Sequence, residues 1–508
     1  MTKRGYLNSY LKFLSKFLGK LQSNSQRAKR RTQATDHRRN KEAFPCFTTL
    51  SAFCVTTPLL SASPCSQTLL SASPCFLDII KRSGYIKCVM KNSRKMVMAM
   101  PYIQRAMEMT FKRFASEYPA ILITGPRQIG KTTMLEKLMK EENSGRSYVT
   151  LDDLNDREMA INDPKMFFQI YKPPVFIDEV QYAPELFTYI KIHIDKHHRA
   201  GDFWLAGSQI FKLMRGVRES LAGRVCLLNM QSMSQSETLG LQTEPFELDI
   251  GKLAERAKAV SPVNANELYK RIFNGGMPAL VSKKYTNRRA FYSSYVSTYV
   301  DRDVKDISGK VDSLEFLKFI TTAAALTGQM LNIKTIAESS DIGHQKAKEW
   351  LLILETMGII FYLHPYSNNV LKRTVSKPKL YFYDTGLVSY LTKWSDSETL
   401  MNGAMSGAIL ENFAVSEIIK SYNNCGIEPF LYYYRDKHTK EIDIIMESDG
   451  KLYPIEIKKT ASPAPQLIKV FNVIDKPPFS RETGAVLCMS DRLSAFNSNN
   501  LIVPIWLL

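Results

Sequence analysis

The sequence has no long apolar run and no clustered cysteines. Nowhere do uninterrupted apolar residues approach the ~18 that a transmembrane helix needs, which predicts a chain that does not span a membrane. Five of the eight cysteines precede residue 95, and Cys226, Cys425 and Cys488 stand singly without C-x-x-C spacing. This scatter argues against a disulfide framework and a cysteine zinc site, and it predicts a reducing, cytoplasmic location.

Acidic residues are scarce at the N-terminus only. The formal net charge is +19, but residues 1–95 hold 18 Lys and Arg against 3 Asp and Glu, so the remaining residues carry only +4. The basic total is therefore weak evidence that the body of the chain binds nucleic acid.

Residues 1–95 also lack a pattern that could build a core. Leu-Leu-Ser-Ala-Ser-Pro-Cys occurs at 59–65 and again at 69–75, and neither this repeat nor the basic run 27–41 has a period that buries one face. We predict a disordered or spurious basic extension, with translation starting at a methionine between residues 90 and 100. A basic amphipathic helix over residues 6–21, lying on a membrane surface, is the alternative.

A phosphate-binding loop is the strongest signal in the chain. The apolar run 120–124 leads directly into Gly125-Pro126-Arg127-Gln128-Ile129-Gly130-Lys131-Thr132, which fits G-x-x-x-x-G-K-[ST], and Thr133 continues into a predicted helix. The glycines let backbone amides turn toward phosphate oxygens, and the helix N-terminus adds a favourable dipole. We expect residues 125–133 to bind ATP, with Lys131 at the β/γ-phosphates and the Thr132 hydroxyl on Mg²⁺.

A second apolar run, 174–177, ends in Asp178 and Glu179. Downstream of a P-loop this is a Walker B pattern, in which Asp178 holds the hydrated Mg²⁺ and Glu179 polarises the attacking water. Ser208 follows the run 202–206 and is predicted either to sense the γ-phosphate or to cap a helix. With 147–152 and 224–230, these runs predict a doubly wound parallel α/β sheet over residues 101–250.

Four segments of this domain resemble a prokaryotic family of AAA-type P-loop ATPases. They are the P-loop, Ile-Asp-Glu-Val-Gln at 177–181, Gly-Ser-Gln at 207–209 and Ser-Leu-Ala-Gly-Arg at 220–224. The resemblance spans roughly residues 101–508, and it implies a C-terminal domain of unknown function with a restriction-endonuclease-like fold. It also makes Arg224 a candidate for the arginine that stabilises transition-state charge, a structural role at the start of a strand being the alternative.

The middle segment, residues 262–400, has the order of predicted helices and strands that is typical of a winged helix. Residues 332–343 and 344–354 predict a short helix, a tight turn and a longer amphipathic helix, and 359–363 and 379–383 predict wing strands. One interpretation places His344, Gln345, Lys346 and Lys348 in a DNA major groove. The other is that this segment only packs between its neighbours.

The C-terminal domain, residues 401–508, carries a hairpin signal. Asp449-Gly450 separates two alternating runs, and a two-residue turn there pairs Ser448 with Lys451 and sets Asp443 opposite Glu456. Asp443, Glu456 and Lys458 resemble the site of the restriction-endonuclease-like α+β fold, and that resemblance adds Glu411 from the first helix. It implies a second metal site at Glu411, Asp443 and Glu456 beside Lys458. A surface ion pair between Glu441 and Lys458 is the alternative.

These features together predict a cytoplasmic, Mg²⁺-dependent ATPase joined to a winged helix and a nuclease-like domain. Two alternatives stay open: an ATP-gated, metal-dependent DNA nuclease, and a non-catalytic ATP-binding regulator that recognises DNA or protein. ATP is the predicted ligand, DNA and protein are possible partners, and the sequence does not fix an oligomeric state.

Overall fold

The strands predicted around the P-loop form one parallel sheet. The computed structural model describes residues 102–208, 221–300, 304–305, 309, 312–367, 377–475, 477 and 480–508, so the predictions for residues 1–95 lie outside it. The described strands of this sheet are β1 (Ala120–Thr124), β2 (Ser147–Thr150), β3 (Val175–Asp178), β4 (Phe203–Ala206) and β5 (Val225–Asn229), in the order β2-β3-β4-β1-β5. Each pairing between them is parallel, which confirms the predicted α/β sheet.

Helices cover both faces of this sheet because successive strand residues point to opposite sides. Ile121 and Ile123 lie in one apolar cluster with Phe111 and Leu135, whereas Leu122 lies in a second cluster on the other face. The helices are α1 (Met107–Ala115), α2 (Lys131–Glu142), α3 (Leu154–Asn162), α4 (Pro164–Ile170) and α5 (Leu186–His197). The first two pack on one face and the other three on the opposite face, as a doubly wound sheet requires.

The middle segment is largely helical and ends in a hairpin. Its described helices are α6 (Gln235–Thr238), α7 (Ile250–Ala259), α8 (Ala265–Asn274), α9 (Pro278–Val281), α10 (Arg288–Tyr295), α11 (Ser313–Ala325), α12 (Ile333–Ser340) and α13 (His344–Thr356). Strands β6 (Ile360–Pro365) and β7 (Lys379–Phe382) then pair antiparallel. The helix, turn, helix and two strands predicted between residues 332 and 383 are therefore all present.

The C-terminal residues fold around a long helix and a mixed sheet. Its helices are α14 (Thr385–Leu391), α15 (Ser397–Asn402) and α16 (Ser406–Asn424), and its strands are β8 (Leu431–Arg435), β9 (Glu441–Ser448), β10 (Lys451–Ile457), β11 (Ser480–Arg481), β12 (Gly484–Cys488), β13 (Ser494–Asn497) and β14 (Asn500–Pro504). Ser448 pairs with Lys451, which confirms the predicted register, and the ladder continues to Ile444 and Ile455.

The hairpin of the middle segment belongs structurally to the C-terminal sheet. Strand β6 pairs with β8, so the described order runs β13-β14-β12-β10-β9-β8-β6-β7. One apolar cluster extends over residues 246–508 and includes Phe316, Trp350, Ile444 and Leu487. The described residues all belong to a single unit, Ala99–Leu508, in which no described helix is long and apolar enough to cross a bilayer.

Candidate nucleotide-binding site

The P-loop connects the carboxyl end of β1 to the first turn of α2. Gly125 and Gly130 have φ values of 132° and 91°, a region that residues with a Cβ rarely adopt. A Cβ on Gly125 would lie 2.0 Å from the carbonyl oxygen of Met230, so that position accepts glycine only. The loop therefore turns tightly at the N-terminus of a twelve-residue helix, where unpaired backbone amides and the helix dipole favour an anion.

The two side chains at the start of α2 point into the loop and toward β3. Lys131 Nζ donates hydrogen bonds to the carbonyl oxygens of Gly125 and Pro126, each at 2.8 Å. Thr132 Oγ1 donates to Asp178 Oδ2 at 2.8 Å. The predicted lysine, hydroxyl and Walker B carboxylate are thus brought together, although 46 residues separate Thr132 from Asp178.

The Walker B acids differ in environment. Asp178 is buried at the end of β3, and burial, only partly opposed by the Thr132 hydrogen bond, raises its pKa to about 6. Glu179 takes a left-handed backbone conformation with φ of 53°, which turns its side chain away from the strand direction. Its Oε2 accepts hydrogen bonds from Gln181 Nε2 and, at 3.4 Å, from Ser208 Oγ.

Ser208 therefore lies beside the predicted water-polarising acid. It is buried at the carboxyl end of β4, which neighbours both β1 and β3. The alternative role, capping the following helix, falls on residues outside those described. The structure thus shows Ser208 in contact with Glu179, and its role as a γ-phosphate sensor stays a prediction.

A cavity of about 540 Å³ opens beside the loop. Part of its wall is the P-loop itself, residues 127–133, and Glu179 lies at its edge. Two segments that the motif did not identify complete it, namely Tyr102 to Arg105 ahead of α1 and Pro278 to Tyr285 around α9. The cavity lining thus combines the P-loop with the aromatic and aliphatic side chains of Tyr102, Ile103 and Tyr285 and with the cations of Arg105 and Lys284.

Arg105 is hydrogen-bonded to the P-loop, and the sequence analysis did not identify it. Its NH1 donates to the Ile129 carbonyl at 2.6 Å and its NH2 to the Gln231 carbonyl at 2.8 Å. Its Nε lies 2.8 Å from Glu237 Oε1, and both side chains are at most 4% exposed. A buried arginine with three partners on two segments fixes the loop relative to the end of β5. No local motif marks it, because Glu237 is 132 residues away.

Arg224 lies at the wrong end of the sheet to act on its own P-loop. Val225 begins β5 and pairs with Ala120, the first residue of β1, whereas the P-loop follows the last residue, Thr124. One strand of five residues separates them, roughly 15 Å. Arg224 instead holds Asp195 through Nε at 2.5 Å and NH2 at 3.1 Å. Within one chain Arg224 is too far from the P-loop for the predicted catalytic role, which stays a prediction that requires the P-loop of a second copy.

Comparison with known proteins gives one informative match and two uninformative ones. Residues 117–239 match the AAA domain family, and residues 265–398 and 406–508 match two domains of unknown function, DUF8612 and DUF4143. Uncharacterised proteins of Mycobacterium tuberculosis and Mycobacterium bovis are each 27% identical over 354 residues, covering 70% of this chain and 73% of the relative. The AAA match contains the loop and the Walker B strand described above. Together they support an AAA-type ATPase.

Similar solved structures include other ATPases at low scores. The Walker-type ATPase of Pyrococcus abyssi is 14% identical with a TM-score of 0.36, over 57% of this chain and 96% of that one. The RuvB Holliday junction branch migration motor of Thermotoga maritima is 16% identical with a TM-score of 0.25, over 50% and 85%. Similarity at this level carries no inference about function.

The acids predicted in the C-terminal domain gather around lysines. Lys458 Nζ lies 2.6 Å from Glu456 Oε1 and 3.5 Å from Asp443 Oδ2. The amide of Ile457 also donates to Asp443 Oδ2 at 2.8 Å. Burial, followed by the nearby Asp443, raises the pKa of Glu456 to about 7. The predicted juxtaposition of Asp443, Glu456 and Lys458 is present, and its negative charge is already opposed.

A second lysine, which the sequence did not point to, enters from β7. Lys379 Nζ lies 2.9 Å from Glu411, 2.6 Å from Glu441 and 4.0 Å from Asp443. Glu441 pairs with this lysine and with Arg435, rather than with Lys458 as the alternative had it. Within the part of the chain that the structure describes, no group of three or more His, Cys, Asp or Glu is arranged to hold a metal ion. This arrangement does not support the predicted second metal site at Glu411, Asp443 and Glu456, because the Lys379 ammonium lies beside two of its three acids.

Proposed function

We propose that this chain binds ATP with Mg²⁺ at residues 125–133 and hydrolyses it. The observation that carries the proposal is the contact between Thr132 and Asp178, with Lys131 and Glu179 on either side of it. These residue types suit a nucleotide triphosphate and a hard, oxygen-preferring cation. Mg²⁺ held by Thr132 and Asp178 would supply positive charge that offsets the negative charge developing on the phosphate.

Each residue of the nucleotide site has a separate role in this proposal. The loop amides between Gly125 and Gly130 bind phosphate oxygens, and Lys131 exchanges its two carbonyl partners for them. Thr132 and Asp178 would hold Mg²⁺, and Glu179 orients the attacking water. Gln181 and Ser208 keep Glu179 in place, so the carboxylate is positioned before a substrate arrives.

The cavity lining supports a site for the rest of the nucleotide. Tyr102 and Ile103 lie on one side of the P-loop and Tyr285 lies on another. An aromatic and aliphatic wall next to a phosphate-binding loop suits a planar base. We therefore place the adenine between the segment before α1 and the residues that follow α9.

A buried polar network connects this domain to the C-terminal residues. The Gln235 amide donates to Glu417 Oε2, and its side-chain Nε2 donates to the Leu508 carbonyl at 3.1 Å. Arg271 NH1 in turn donates to Gln235 Oε1 at 2.9 Å. Gln235 lies two residues before Glu237, the partner of Arg105. Arg105, which contacts the P-loop, is thus connected through the segment from Gln235 to Glu237 to residues of the middle and C-terminal domains. We therefore propose that ATP turnover is coupled to those domains.

For those domains we favour a regulatory role over nuclease chemistry. We interpret helices α11 to α13 with the β6–β7 hairpin as a winged helix. His344, Gln345 and Lys348 are exposed at the start of α13, whereas Lys346 is ion-paired to Glu315. Lys348 is therefore the one lysine of this helix turn that is available to a DNA groove. The candidate partners of the winged helix are DNA and a protein. The lysines among the C-terminal acids disfavour the ATP-gated nuclease.

Hydrolysis assays on the purified chain test this proposal. We expect ATP hydrolysis that requires Mg²⁺ and disappears in EDTA. Stimulation by duplex DNA that Lys348→Ala removes would assign the winged helix to DNA, with exposed Lys334→Ala on the preceding helix as the matched control. Equal rates with and without DNA would instead favour a protein partner. A chain that hydrolyses no ATP under any of these conditions would contradict the proposal.

A further inference from the structure

Lys379 is among the most deeply buried lysines in the described structure. Its side chain is 3% exposed, and it lies at the first residue of β7, which is paired with β6. A charged ammonium is not stable in such a place unless carboxylates compensate it. Burial alone would lower the pKa of Lys379, but Glu411, Asp443 and Glu441 outweigh that effect and raise the pKa above its ordinary value. The ammonium is therefore charged at neutral pH.

Its surroundings come from three different elements. Glu411 lies on α16 and also accepts from Tyr381 Oη at 2.6 Å. Glu441 and Asp443 lie on β9, where Glu441 is shared with Arg435 at 3.1 Å. The ring of Tyr433 on β8 faces the ammonium at 5.5 Å. Three acids and one aromatic face thus converge on a single point that a side-chain nitrogen occupies.

That point is where a divalent ion would have to bind. Mg²⁺ needs about six oxygen ligands at about 2.1 Å, and carboxylates can supply them only where no other cation separates them. Lys379 stands between Glu411 and Glu441, and Lys458 stands between Asp443 and Glu456. Glu456 Oε2 is buried without a hydrogen-bond partner in the described structure, but Lys458 already holds the other oxygen of the same carboxylate at 2.6 Å.

We propose that Lys379 takes the place of a metal ion, so that Glu411, Glu441 and Asp443 form a structural ion-pair cluster. The cluster fastens the β6–β7 hairpin of the middle segment to α16 and β9 of the C-terminal domain. The C-terminal domain is accordingly a scaffold on which the hairpin packs, and the role of its acids is to pair with Lys379. This inference concerns the C-terminal acids alone and is independent of the proposed ATPase activity.

Thermal unfolding of the full chain tests it in nucleotide-free buffer, with Asp178→Asn as the background so that the P-loop contributes no metal effect. Millimolar Mn²⁺ should leave the melting temperature unchanged. Lys379→Met should lower it by about 5 °C, because buried Asp443 and partly buried Glu411 and Glu441 lose their shared cation. Lys379→Met/Glu411→Gln should recover a large part of that loss, since the uncompensated charge is reduced. Lys451→Met is the control, because that lysine forms an exposed ion pair with Glu482 on the same sheet.

Two results would overturn the proposal. One is a rise in melting temperature with Mn²⁺ that Asp443→Asn abolishes, since the acids would then be binding a metal beside Lys379. The other is a Lys379→Met chain as stable as its parent. If Lys379→Met does not fold, the Mn²⁺ titration of the parent and of Asp443→Asn still decides between an ion-pair cluster and a metal site.

Discussion

Replacing Arg105 tests whether the P-loop depends on buried support from behind. In Arg105→Met, Glu237 keeps the amide hydrogen bonds of Ala106 and Ser234, at 2.9 and 2.8 Å, but loses its cation. The carbonyls of Ile129 and Gln231 lose their donor as well. Removing one partner of a buried ion pair costs about 3–5 kcal/mol. We expect a loss in this range, accompanied by weaker ATP binding because Ile129 belongs to the loop.

The loss should depend on pH in a defined direction. In the parent chain burial alone would raise the pKa of Glu237, but Arg105 outweighs it and holds the pKa below its ordinary value. This carboxylate therefore stabilises the fold above about pH 4.5 and loses that contribution as the pH falls through its folded pKa. Without Arg105, burial is opposed by the amides of Ser234 and Ala106 alone, and the pKa of Glu237 rises. The deficit of Arg105→Met should then be largest at neutral pH and shrink as the pH approaches 5.

Denaturant unfolding at pH 7.5 and pH 5.5 measures both effects. Lys112→Met on the helix that follows, α1, is the control, because its ion pair with Glu141 is exposed and worth less than about 1 kcal/mol. Arg105→Met/Glu237→Gln should regain part of the stability, because it removes the stranded charge. A loss no larger than that of Lys112→Met, or a deficit that grows as the pH falls, would refute the reasoning.

Two further changes address the catalytic acid and the N-terminal extension. Glu179→Gln should bind ATP with nearly the parent Kd by calorimetry, yet hydrolyse it roughly a hundredfold more slowly, because an amide cannot polarise the water; an unchanged rate would remove Glu179 from the mechanism. A chain that starts at Met98 should keep the full rate of ATP hydrolysis, since the described unit begins at Ala99. Loss of folding or of nucleotide binding in that shortened chain would show that residues 1–97 belong to the enzyme.

The candidate nucleotide site was predictable because its residues lie in short, contiguous sequence motifs. Gly125, Gly130 and Lys131 lie in one loop whose order of strand, turn and helix follows from the sequence alone. Asp178 and Glu179 could be added because an apolar run ending in two acids has a specific meaning downstream of a P-loop. Alternation likewise gave the register of Ser448 with Lys451, since a two-residue turn fixes pairing outward from itself.

What the sequence did not reveal depends on contacts between distant segments. Arg105 meets Glu237, and Lys379 meets Glu441, over separations that no local period records. Lys379 also changes the charge around the C-terminal acids. The motif of Asp443, Glu456 and Lys458 does not reveal this, because its sequence is the same whether or not a second lysine lies beside the acids. The sequence also does not tell whether Arg224, which lies at the end of the sheet opposite its own P-loop, meets the P-loop of a second copy.

The rate of Mg²⁺-dependent ATP hydrolysis by Lys131→Ala tests the central claim most directly. Lys131 is the side chain that we propose to bind the transferring phosphate, and exposed Lys140→Ala on the same helix is the matched control. We predict that the parent and Lys140→Ala hydrolyse ATP alike, and that Lys131→Ala falls to the background rate and binds ATP more weakly. Hydrolysis by folded Lys131→Ala at the parent rate would contradict the assignment of residues 125–133 as the ATPase site.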